Sequence, residues 1–237
     1  MASRYWVTAG TSNWSTSGAG SGWSLTDGGA GGQVKPTASD DVFFTANSPV
    51  CTVDTAGVGL TLNFTGYAST ITMTAGLTIS GSVTLVSAMT IAGASGLAVN
   101  ATATLTSNGK TWPNALTLTG TSTMTLADDW NVDELLTIGA STLSTTINGG
   151  TIYAGAGYTV GGTTGNVTGT SRIVMDGTGT INMSAKTTGT HQLEILIDTT
   201  GTCTIGTLVQ TVNPIRYKRG LLAGNIVGFP KTVFKLA

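Results

Sequence analysis

The sequence predicts an all-β protein, and within that class a parallel β-helix (β-solenoid) of short threonine-rich strands. Three observations predict it. Threonine is about one residue in five and glycine is 34 of 237 residues. Only 9% of residues are charged, against roughly 25% in an average soluble domain. Disordered chains are poor in β-branched residues and rich in charge. This chain is the reverse, and threonine and valine suit a pleated, half-buried surface.

The second observation is strict alternation. In "STITMTAG" Ile71 and Met73 share one face, and Thr70, Thr72 and Thr74 share the other. The stretches "GLTIS", "SVTLVS", "ALTLTG", "STMTLA", "LLTIGA" and "GTINMS" repeat the pattern. A period of two means strands with one face buried and one face wet. The third observation is that no stretch of useful length carries a helical period. "DDWNVDELLTIGA" comes nearest, and its alternation reads as strand.

Short strands at this spacing fit an antiparallel β-sandwich as well as a solenoid. The solenoid is favoured because the outer threonines are monotonous, as stacked ladders of like residues would be. The inner residues are small to medium, and two-residue Asn-Gly hairpin turns are scarce. Asn108-Gly109 and Asn148-Gly149 are the main candidates. At roughly 20–25 residues per coil, about seven coils are expected.

Three zones follow in order. Residues 1–48 hold Trp6, Trp14 and Trp23 and a Gly-rich stretch. They are expected to cap the exposed end of the first coil, since an uncovered edge invites association. "ASDDVFF" (38–44) then reads as the first strand. Residues 49–212 are the solenoid body. Residues 213–237 form a separate basic segment with Arg216, Lys218, Arg219, Lys231 and Lys235, half of the ten Lys and Arg residues. No acidic residue follows Asp198. That segment reads either as a solvated terminus or as a docking element for an acidic surface.

Little in the chain points to chemistry. His191 stands alone, without metal-ligand spacing, and reads as a surface or turn residue. Asp40-Asp41 and Asp128-Asp129 are adjacent pairs, and neighbours on a strand point to opposite faces. They read as turn caps rather than acid–base dyads. A solenoid glycosidase or lyase needs several carboxylates on one groove, for which Asp128, Asp129, Asp133 and Glu134 are the best placed. The Gly-rich stretch 18–32 lacks a phosphate-loop ending. Arg216-Tyr217-Lys218-Arg219 is too short a cluster to favour nucleic acid over docking. The expectation is no enzyme, no cofactor, no metal, no nucleic acid and no membrane. Cys51 and Cys203, far apart in sequence, read as buried free thiols, with a disulfide between them as the alternative. No apolar h-region follows Met1, so no secretory signal is expected.

The ordered series "RYWVTAGTSNWS" (4–15), Trp23, "GGAGGQVKPTASDDVFFTANS" (28–48), "LNFTGY" (62–67) and "LTSNGKTWPNALTLTGTSTMTLADDWNVDELLTIG" (105–139) resembles a group of uncharacterised bacteriophage proteins, chiefly from aquatic environments. The resemblance covers roughly residues 4–148 and rests most on the N-terminal blocks. It implies a virion structural protein with a β-solenoid and no catalytic residues. The expected role is capsid decoration (cement) on the lattice of the major capsid protein. The protein would then be a homotrimer on the virion surface, made in the host cytoplasm. The alternative is a tail-fibre or receptor-binding component that contacts host glycans, with Tyr153 and Tyr158 as exposed stacking aromatics.

Overall fold

A computed structural model describes residues 1–7, 13–141, 144–162, 164–183, 190–206, 211–212, 215–223 and 234–236. Every regular element among them is a strand. The chain winds as a β-solenoid of about eight turns, one more than the sequence period implied. Each coil visits three faces in a fixed order. The first complete coil lays Asp41–Phe43 on the first face, Cys51–Val53 on the second and Gly57–Gly59 on the third. Thr61–Asn63 then returns to the first face beside Asp41–Phe43, with Asp41 paired to Thr61.

The pairing is parallel throughout the body, which rules out the sandwich. On the third face Leu77 pairs with Leu97, Leu97 with Leu116, and Leu116 with Leu136. All four leucines are buried, and the threonines between them, Thr78, Thr117 and Thr137, keep the same register outside. A slip of one residue would turn every leucine to water and every threonine inward, so the alternation itself pins the register. Thr146 and Thr168 show the outer ladder directly, with hydroxyl oxygens 2.9 Å apart. The strand Glu194–Ile205 is long enough to turn a corner. Its first part pairs with Arg172–Met175 on the second face, and its last part with Gly179–Asn182 on the third.

The described residues of 1–48 cover the first coil and in part belong to the solenoid itself. Ser3–Trp6 pairs in parallel with Asp41–Phe43 and so forms the first rung, ahead of the strand that the sequence placed first. Trp23–Ser24 folds back on it in the one antiparallel pairing among the described residues. Trp6, Trp14 and Trp23 are fully buried. Trp23 meets Trp6 edge-on at 5.0 Å and Trp14 at 4.8 Å, within the favoured range for aromatic pairs. Phe44 and Phe64 stack below them at 4.9 Å. Two of these indoles have their N–H satisfied: Trp6 Nε1 donates to Val50 O and Trp23 Nε1 to Trp14 O, each at 3.0 Å. Gly57 leaves room for this plug, because a Cβ there would lie 2.8 Å from Leu77 and 3.1 Å from Trp14.

The Asn-Gly steps do not close hairpins. Asn108 and Gly109 both have positive φ, 49° and 72°, but they turn a corner between successive faces. Asp128 accepts from the Asn108 N–H at 2.6 Å, and Asn108 Nδ2 donates to Leu85 O at 2.7 Å, so the corners of three coils are tied together. Asn148 and Gly149 end the strand Thr145–Gly149. The segment 213–237 is not set apart from the body in its described part. Ile215–Ala223 pairs in parallel with Glu194–Ile205, and Phe234–Leu236 pairs with it in turn.

Candidate docking surface

The second face of the late coils is built from Thr151–Ala154, Arg172–Met175, the start of Glu194–Ile205 and the start of Ile215–Ala223. Its inner column is Ile152, Ile173, Ile195 and Ile215, paired in register and fully buried. The residues between them point outward by strand alternation. Tyr153, Val174, Leu196 and Arg216 therefore form one outer column. Val174 is buried, and Tyr153 and Leu196 are half-buried.

Beside this apolar strip runs an ionic ladder. Glu194 accepts from Arg172 Nε at 2.7 Å through one oxygen and from Arg216 Nε at 2.7 Å through the other. Asp198 takes Lys218 Nζ at 2.9 Å through Oδ2 and Arg219 Nε through Oδ1. The hydrogen bonds from Lys218 and Arg219, helped by their charges, hold the Asp198 carboxyl below its ordinary range. Each carboxylate thus carries two cations, and each group retains one net positive charge. The cations remain about half exposed, 49% for Arg172 and 48% for Arg216.

The basic residues singled out in the sequence divide accordingly. Arg216, Lys218 and Arg219 come together on one face, but as partners of Glu194 and Asp198 rather than as a bare patch. Lys235 stands at the register position beside Arg216, and Lys231 lies outside the described residues. Sequence reasoning missed Arg172, Glu194 and Asp198. Their signal was the coil step: Arg172 and Glu194 are 22 residues apart and Asp198 and Lys218 are 20 apart, so each stands about one turn from its partner.

Of the other predicted residues, Asp40, Asp128 and Asp129 accept hydrogen bonds from nearby backbone and hydroxyl groups. Asp128 accepts from the Ser107 N–H at 2.7 Å as well as from Asn108, and Asp129 accepts from the Thr151 N–H at 2.7 Å. Asp40 accepts from Thr37 N, Thr37 Oγ1 and Ala2 N. Burial pushes its carboxyl up, but these bonds and the Arg4 charge outweigh that and hold it below the ordinary value. Asp133 and Glu134 are exposed. Asp176 is raised, first by desolvation and then by the charges of Asp133 and Asp198.

Two expectations are overturned. His191 is 2% exposed, not at the surface, because it pairs with the buried Val167 and takes that residue's inward direction. Tyr158 is fully buried, and its hydroxyl lies 2.6 Å from His191 Nε2. It is unavailable for stacking on a sugar, which leaves Tyr153 alone on the outer face. Cys51 and Cys203 are free and buried. Burial pushes the Cys203 thiol up to about 11 and the Cys51 thiol well above its ordinary value, so neither is a ready thiolate. Among the described residues no three His, Cys, Asp or Glu side chains gather as metal ligands. No family model matches the chain, and no curated protein or solved structure matches it.

Proposed function

We propose that the chain is a bacteriophage virion structural protein that decorates the capsid, docking on the lattice of the major capsid protein through the outer second face of its late coils. The observation that carries this reading is the concentration of charge there. Four cations and two carboxylates are fixed on one face of a stacked β scaffold, in a chain with only 9% charged residues. A net-positive face beside half-buried Tyr153 and Leu196 complements an acidic protein surface in charge. The low charge elsewhere suits a surface packed against copies of itself, and a homotrimer is part of the proposal. The sequence resemblance supports the same assignment.

Electron microscopy of the virion, with copy number by quantitative mass spectrometry, tests it. Hundreds of copies arrayed on the head are expected. A few copies at the tail would replace this reading with the receptor-binding one, which Tyr153, half-buried on the same outer face, favours. Light scattering on the purified protein tests the trimer.

A further inference from the structure

A groove of about 440 Å³ crosses the corner between the first and second faces of the late coils. Successive coils supply its lining at the same corner: Gly149 to Thr151, then Gly169 to Arg172, then Gln192 and Glu194. Thr151 pairs with Arg172 and Arg172 with Glu194, so the groove runs along the stacking axis. It steps about 4.8 Å per coil, the spacing of neighbouring strands.

Its floor is bare backbone for a physical reason. Gly149 and Gly169 have positive φ, 97° and 128°. A Cβ would lie 2.2 Å from Leu126 O at the first and 1.9 Å from Ile147 O at the second. No side chain can be placed at either position without moving the preceding coil, so glycine is required at both. The walls are polar. Arg172 is half exposed and holds Glu194 through Nε. Ser171 is 2% exposed, lines the groove, and has a buried Oγ with no hydrogen-bond partner.

We propose that this groove binds an acidic polysaccharide laid along the solenoid axis. An extended chain of hydroxyl-bearing rings matches a polar trough that runs along the axis past Thr151, Arg172 and Gln192 of three successive coils. Charge selects the acidic class, because Arg172 and Arg216 share the single carboxylate of Glu194 and leave one positive charge at the groove's edge. This function is separate from head docking and is read on the isolated protein.

The test is titration calorimetry of the full chain with polygalacturonate oligosaccharides, with neutral dextran oligosaccharides as the comparison. Binding of the acidic chain only is expected, weakening as salt is raised. Arg172→Gln should weaken it at least about tenfold. Gln192→Ala removes a lining side chain without changing charge and should also weaken it. Lys218→Gln loses the same charge away from the groove and should leave affinity within about twofold. No binding overturns the proposal, and so does equal binding of dextran. An equal loss in Lys218→Gln overturns it as well, because attraction would then be diffuse rather than sited.

Discussion

Glu194 shows how one residue changes the meaning of its neighbours. From sequence, Arg216 belongs to a basic tail; in the fold it is half of a shared salt bridge. Exposed pairs contribute about 0–1 kcal/mol each, so Glu194→Gln should lower the melting temperature only slightly. On the proposed capsid docking, it should also make release from virions steepen with salt, since two unpaired guanidinium groups then face the partner. Asp176 behaves in the opposite way. Its raised pKa means that the folded state holds the proton more tightly than the unfolded chain does. The penalty is absent below the unfolded-state pKa and fully present once pH exceeds the folded-state value. Asp176→Asn should therefore raise stability at neutral pH, and the gain should vanish on acidification through the carboxylate range. Thermal melts of both proteins across that range check it. The Tyr158–His191 contact is a buried pair of another kind. Tyr158→Phe leaves the imidazole without this partner and should cost about 1–3 kcal/mol in denaturant unfolding.

The strands were legible because alternation is a local signal. Ile71 and Met73 against Thr72 fix which side is inside without knowledge of any partner. His191 obeys the same rule with Leu193, Ile195 and Ile197, and it was misread because its residue type was weighed above its position. What alternation cannot show is which strand lies beside which. That depends on the coil length, and corner loops of unequal size blur it, with cross-coil contacts spanning 20 residues between Asp41 and Thr61 but 25 between Gly120 and Thr145. The ionic ladder and the groove were hidden for that reason, since both exist only between coils. The cap was legible as an aromatic cluster but not as a rung, because the parallel pairing of Ser3–Trp6 with Asp41–Phe43 spans a long excursion that returns over it. Trp23 is the centre of that cap. Trp23→Ala should cost about 3–5 kcal/mol, with loss of amide protection across the first coils measured by hydrogen exchange.

At the scale of the whole molecule, two surfaces of different character divide the solenoid. The early and middle coils present hydroxyl ladders with few ions, and the late coils present paired charge. Contacts made by the ladders should depend weakly on salt, and contacts made by the charged face strongly. On the proposed capsid docking, titrating release from virions against salt separates the two. A steep curve assigns docking to Arg216, Lys218 and Arg219, and a flat one to the threonine faces.

The tryptophan plug has a kinetic meaning. In a stacked array each repeat is stabilised mainly by its neighbours, so growth is easiest from a repeat that is already ordered. Here the rung formed by Ser3–Trp6 carries its own aromatic core and is synthesised before the later coils. Each later coil then finds a finished template directly beneath it, and assembly gains a direction. Pulse-labelling during refolding should reveal protection spreading from Trp6 and Trp14 toward the later coils, like a zip closed from a fixed stop.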